Sequence, residues 1–202
     1  MIALGWCREQ GGLPYGVIWQ RMGPLTLVGA ARADAPDARA RLNLLLRCFQ
    51  AEIELLPLAP AQEVSFHRAL EMPVAPLCAA LDRLEGRAQL SLLVESGQSA
   101  ARSQGQGGRG WLRARQALHA RDADLRTGIE TLSAQIGLAA TPVWRRADGS
   151  GCDVLVGRGA VALIRDRISE LAEAHLPPSA RMTLTGPWPP FSFAGLTLET
   201  VT

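Results

Sequence analysis

The stretch from Ser96 to Gly110 constrains this chain more than any other, because it is built only of serine, glycine, glutamine, alanine and arginine. Such a segment has almost nothing to bury and predicts a flexible linker or loop. It divides the chain into residues 1–95, a connection at 96–110, and residues 111–202. A length of 202 residues allows two small domains, each with a core of its own.

The first part opens with an apolar strand, Met1 to Arg8, followed after Gly11-Gly12-Leu13-Pro14 by a second run, Tyr15 to Trp19. Met22-Gly23-Pro24 marks a turn, and Leu25 to Gly29 reads as the hairpin partner. Ala35-Pro36-Asp37 then offers a helix start. Leu42, Leu45, Leu46, Phe49 and Ile53 follow at three- and four-residue steps, predicting an amphipathic helix that stops near Leu56-Pro57. Glu63 to His67 fits either a short strand or the first turn of a helix. A further helix is expected from Val74 or Pro76 to Leu84, with Leu77, Ala80, Leu81 and Leu84 inward and Gly86 as its stop. Arg87 to Val94 reads as the strand that ends this domain.

In the second part, Trp111 to about Ile136 predicts a long helix marked by Trp111, Leu112, Leu118, Leu125, Ile129, Leu132 and Ile136. Thr141 to Arg146 and Cys152 to Val156 read as strands around the turn Asp148-Gly149-Ser150-Gly151. Ala160 to His175 is a helix carrying Val161, Ile164, Ile168, Leu171 and Ala172 inward. Pro177-Pro178 ends it, and Arg181 to Thr185 is a last strand. Strands mixed with helices in both parts predict an α+β fold rather than a doubly wound parallel sheet.

Several function classes find little support. All basic residues are arginine, and the net charge of +2 is too near neutrality to imply nucleic acid or an anionic membrane as partner. No apolar run approaches the roughly 20 residues that cross a bilayer, and Met1 to Arg8 lacks the basic start of a secretory signal. A cytoplasmic location is the expectation. Cys7, Cys48, Cys78 and Cys152 are scattered and lie at neither metal-ligand nor C-x-x-C spacing, so they read as small buried hydrophobes. His67, His119 and His175 carry no recognisable catalytic motif. Residues 105–110 match G-x-G-x-x-G, the basis of the rival reading, a small nucleotide-binding protein or enzyme using that glycine loop. That fingerprint needs its glycines to turn off a strand end, yet about ten polar residues separate Val94 from Gly105. No catalytic, cofactor-binding or metal-binding residue is assigned.

The unusual segment is Gly186 to Phe193. Pro187, Pro189 and Pro190 remove three backbone donors and fix φ, so the stretch is expected to avoid sheet interiors and helices and to follow an extended, polyproline-like path. It carries Trp188, Phe191 and Phe193 on a stiff backbone, where large apolar area is buried at low entropic cost. Two readings stand, docking on its own domain or presentation to a partner. They are compatible if one ring packs inward while another faces out.

Thr185-Gly186-Pro187-Trp188-Pro189-Pro190-Phe191-Ser192-Phe193 resembles the near-terminal motif of the GvpL/GvpF family of gas vesicle proteins, with Phe191 where the family usually has tyrosine. Leu81 to Leu90, Gly110 to Arg115 and Ala160 to Ile164 are similar to further family segments in the same order. The run Leu56-Pro57-Leu58-Ala59-Pro60-Ala61 departs from the family's usual arginine–phenylalanine–glycine–threonine. The resemblance implies two small α/β-sandwich domains, the first ferredoxin-like and the second a modified ferredoxin-like domain bearing the proline-rich tail. It also implies a non-enzymatic role, without cofactor, in gas vesicle assembly. The partners implied are the small hydrophobic gas vesicle shell protein and other accessory proteins, and self-association is compatible with that role. Pro187, Trp188, Pro189, Pro190, Phe191 and Phe193 are the candidate protein-binding residues.

Overall fold

The computed structural model describes residues 1–8, 12, 14–96, 108–145 and 149–195. It is a mixed α/β structure with two antiparallel sheets of four strands each. Contacts divide the chain into two units. One joins Met1–Gln89 to the tail that begins at Pro187, and the other is Leu90–Gly186.

The first unit contains β1 (Ile2–Cys7), β2 (Ile18–Met22), β3 (Leu25–Ala30), α1 (Ala38–Gln50), β4 (Leu55–Pro57), α2 (Phe66–Leu70) and α3 (Val74–Leu84). The strand order is β2-β3-β1-β4, with every neighbouring pair antiparallel. Every residue of β1 and β3 is buried, so these strands read as continuous apolar runs and not as alternation. Pro57 is tolerated because β4 lies at a sheet edge, where a missing N–H breaks no ladder. The second strand starts three residues later than the sequence predicts, after a turn in which the Val17 N–H donates to Pro14 O at 3.2 Å. A two-residue turn sets its register. Met22 pairs with Leu25 across Gly23-Pro24, and Gly23 supplies a φ of +61° that other residues adopt only at a cost.

Helix α1 begins where expected, because Asp37 Oδ1 accepts the Ala40 N–H at 2.8 Å. Two features of it differ from expectation. Its buried residues are Arg41, Leu44, Leu45 and Cys48, about one position round from the predicted stripe, because the Arg41 side chain is drawn inward to backbone carbonyls. The helix also stops at Gln50 and not near Leu56, so that Leu55–Pro57 becomes a strand. The stop is a Schellman turn: the Glu52 N–H donates to Phe49 O and the Ile53 N–H to Cys48 O, both at 3.1 Å, and Ile53 is buried. Glu52 occupies the left-handed position, φ +60°, which glycine usually fills. Glu52→Gly should therefore stabilise the protein by about 0.5–1 kcal/mol after allowing for glycine's greater unfolded-state freedom. A thermal melt should show a midpoint about 2 °C higher, and a lower midpoint would refute the strain at this turn.

Residues 63–67 resolve into a single bridge between Ser65 and Ile2 followed by α2, whose Ser65 cap accepts the Arg68 N–H at 3.2 Å. Helix α3 buries Leu77, Ala80, Leu81 and Leu84 as predicted, and Gly86 follows it with φ +65°.

The second unit contains β5 (Arg87–Ser96), α4 (Gly108–Ile136), β6 (Trp144–Arg145), β7 (Ser150–Gly157), α5 (Val161–His175) and β8 (Ala180–Trp188). Its element order is β-α-β-β-α-β and its strand order β6-β7-β5-β8. Strand β5, expected to close the first domain, thus lies inside the second sheet, and the division between units falls within it, after Gln89. Of the expected connection at 96–110, residues 97–107 lie outside the described residues.

Leu90, Leu92 and Val94 of β5, Cys152, Val154 and Val156 of β7, Leu125, Ile129 and Leu132 of α4, and Ile168, Leu171 and Ala172 of α5 make this unit's core. The early apolar marks of α4, Trp111 and Leu112, are instead exposed, and Val161 and Ile164 of α5 are half-buried. The strand expected at 141–146 is reduced to Trp144–Arg145 with a separate bridge from Ala140 to Val154.

Candidate functional site

The proline-aromatic segment begins inside β8, which runs through Pro187 to Trp188. Pro187 and Trp188 are thus extended and outside a sheet interior, as expected, but they belong to a strand and not to a polyproline-like path. β8 is the outermost strand of its sheet, and an edge accepts a residue without an N–H. The chain then leaves the sheet. Pro190 has φ −76° and ψ 59°, and Phe191–Phe193 form a single 3-10 turn, again not polyproline geometry. Two of the turn's three donors are satisfied locally. The Phe191 N–H reaches Pro189 O at 2.7 Å, and the Phe193 N–H reaches Pro190 O at 3.1 Å.

Two side chains of the first unit hold the turn. Gln89, nearly fully buried, accepts the Ser192 N–H on Oε1 at 3.0 Å, and Arg83 Nη2 donates to Phe193 O at 2.9 Å. Phe191 packs against the cluster formed by Leu4, Cys7, Val28, Leu44, Leu45 and Cys48 among others. Pro189 and Pro190 are buried, Trp188, Phe191 and Phe193 are half-buried, and Pro187 is exposed. The six candidate residues are thus gathered in one seated segment, with Phe191 packed inward and Trp188 and Phe193 only half-buried.

Sequence reasoning missed two exposed aromatic residues of the first unit. Tyr15 is 93% exposed and Trp19 51%, although the run containing them reads as an ordinary strand. The available signal was weak: Trp19-Gln20-Arg21 lacks strict alternation, and all three residues face water on the edge strand β2. On α4, the exposed Trp111 carries the Arg115 guanidinium over its ring at 5.2 Å.

Other candidate chemistry does not converge. His67 lies 3.6 Å from Glu71 on an exposed helix face, and His175 Nε2 is 2.9 Å from Gln135 Oε1. Among the described residues no group of three or more histidines, cysteines or acids is placed to hold a metal. Burial pushes the Cys48 and Cys152 thiols up to about 11, which keeps them protonated at neutral pH and poor nucleophiles. Within the G-x-G-x-x-G match, Gly108, Arg109 and Gly110 belong to the first turn of α4, and residues 105–107 lie outside the described residues. Among the described residues no helix is long and apolar enough to cross a membrane.

These features define a two-unit α/β protein whose distinguishing element is a proline-stiffened tail seated on the first unit. The model of the family described as gas vesicle synthesis protein GvpL/GvpF matches residues 59–195, a span that includes that tail, and the chain belongs to this family. A search of curated proteins finds no match. Among solved structures it is similar to the gas vesicle protein GvpF from Anabaena sp. PCC7120, with TM-score 0.69 and 14% identity over 98% of this chain and 96% of that one. It is also similar to GvpF from Microcystis aeruginosa, with TM-score 0.66 and 13% identity over 96% of this chain and 98% of the other. At such identities the likeness concerns the fold.

Proposed function

We propose that this chain is a non-enzymatic accessory factor of gas vesicle assembly, acting in the cytoplasm or on the forming vesicle. Its partners in this reading are the hydrophobic shell protein and other accessory proteins. The observation that carries the proposal is the family match over residues 59–195, which takes in the whole aromatic segment. An aggregation-prone subunit needs apolar surface to shield it before it is built into a wall. Trp188 and Phe193, half-exposed and held beside the buried Pro189-Pro190 pair, supply stiff aromatic contacts of that kind. Pro187 and Phe191 then serve as support, one on the edge strand and the other in the core.

The same reading extends to the fold. We take the second unit as ferredoxin-like, since it has the β-α-β-β-α-β order with its first strand between its third and fourth. The first unit has a comparable spatial order, β2-β3-β1-β4, but no helix between β1 and β2 among the described residues. It is the modified relative, which reverses the assignment expected from the sequence.

Trp188→Ala should reduce co-purification of the shell protein at least fivefold, the effect of losing a contact worth about 1 kcal/mol or more. Circular dichroism should remain that of the native protein. Retained capture by a folded variant would remove Trp188 from the interface, and loss of fold would make it a structural residue.

A further inference from the structure

A second surface, distant in sequence from the aromatic turn, has the form of a strand-receiving groove. It is a cleft of about 500 Å³ between the end of α5 and the start of β8, lined by Ser169, Ala172, Glu173, Leu176, Ala180 and Met182, with Pro177 and Pro178 as a stiff rim. Three observations bear on what it takes.

First, β8 is the outermost strand of its sheet, and an edge strand offers backbone donors and acceptors to an added chain. That edge is closed at its far end, where the Arg165 guanidinium donates to Gly186 O. At its near end the Ala180 N–H is taken by Pro177 O at 2.8 Å. The stretch between, with Met182 and Leu184, remains as the receiving edge. Second, β8 alternates along its whole length between half-buried and exposed residues. Ala180, Met182 and Leu184 share one face, and Arg181 and Thr183 stand on the other. An added strand therefore meets an apolar surface at every second side chain. Third, Glu173 stands at this groove with no ion pair or hydrogen bond among the described residues. The neighbouring Glu170 is already engaged by Arg167 at 3.2 Å.

We propose that this groove takes an extended segment of a partner protein as a fifth strand of the second sheet. The segment is apolar at alternate positions and carries one lysine or arginine that meets Glu173. Main-chain bonds to β8 give the affinity, and the apolar face of Ala180, Met182 and Leu184 with the one carboxylate gives the selection. The inference rests on reading the chain as a partner-binding protein, and it adds the chemistry of one partner segment.

The test is direct binding to the intact protein, read by fluorescence anisotropy. The probe is a labelled seven-residue peptide of alternating valine and threonine with one central lysine. The twin carrying glutamate in place of lysine should bind about three- to fivefold more weakly, the range of an exposed charge pair. Glu173→Lys, on an exposed position that leaves the fold unchanged by circular dichroism, should invert that preference. A peptide N-methylated on alternate backbone nitrogens should lose at least tenfold, because added-strand bonds cannot form. No binding of the lysine peptide, equal binding of the N-methylated one, or a preference indifferent to Glu173→Lys would each overturn the proposal. Shell-protein capture that persists alongside such a result would leave the assembly role intact and dispose of this groove alone.

Discussion

Gly151→Ala should destabilise the protein by about 3 kcal/mol or more, at the upper end of what overpacking costs. Gly151 lies in β7, which has β6 on one side and β5 on the other. A Cβ there would sit 2.1 Å from Leu92 O and 2.5 Å from the Trp144 ring. The first of these is backbone inside a buried strand, so no side-chain rotation relieves it. Moving β7 away would break its ladder on both sides. Calorimetry should show a midpoint lower by roughly 6–12 °C for a protein of this size. Gly159→Ala is the matched control, since a Cβ there meets nothing within 4 Å. If the two variants melt alike, the close approach of β7 to β5 is wrong.

A comparable loss is expected in the first unit from Arg41→Met, which keeps the aliphatic stem and removes the guanidinium. Arg41 is 6% exposed. Its Nε donates to Pro60 O at 2.8 Å, its Nη1 lies 3.5 Å from Ala35 O, and Glu63 stands 3.7 Å away. The carbonyls belong to the loops on either side of α1 and β4, so one side chain ties both together. Removing it strands a buried acceptor at Ala35 and a half-buried one at Pro60, at about 1–3 kcal/mol for each group left unsatisfied. The expected total is about 2–4 kcal/mol, measured as a lower urea midpoint with an unchanged slope. Arg41→Lys should recover only part of it, because an ammonium cannot span two separate carbonyls as a planar fork does. Full recovery by lysine would show that charge alone, and not the fork, matters at this position.

How far these features were legible depended on whether their causes are local. The start of α1 was readable because Asp37 both ends the preceding turn and accepts the Ala40 N–H. The apolar face of α3 was readable because four residues at helical spacing leave one inward stripe. The end of α1 was not, since the residue at the left-handed position is Glu52 and carries no turn signature. The inward turn of Arg41 left no mark in the sequence, because its partner at Pro60 becomes a neighbour only after the chain has doubled back through β4.

Strand β5 shows the limit most plainly. Its existence follows from Arg87 to Val94, but which sheet it joins depends on partners at 150–157 and 180–188, far along the chain. The tail was recognised as unusual and as carrying the family resemblance. Its first part is extended and outside a sheet interior as expected, but proline chemistry also permits an edge strand and the 3-10 turn that follows, and these replace the polyproline-like path.

The seat of Phe191 has a consequence for synthesis on the ribosome. The first unit is discontinuous: its residues up to Gln89 emerge first, but the ring that packs against Leu4, Leu45 and Cys48 is translated only after the whole of Leu90–Gly186. Leu90–Gly186 is one unbroken stretch and can acquire its contacts while elongation continues. Completion of the first unit thus waits for the segment that follows Gly186. A chain cut short before Pro187 leaves the first unit without the ring that covers this apolar flank.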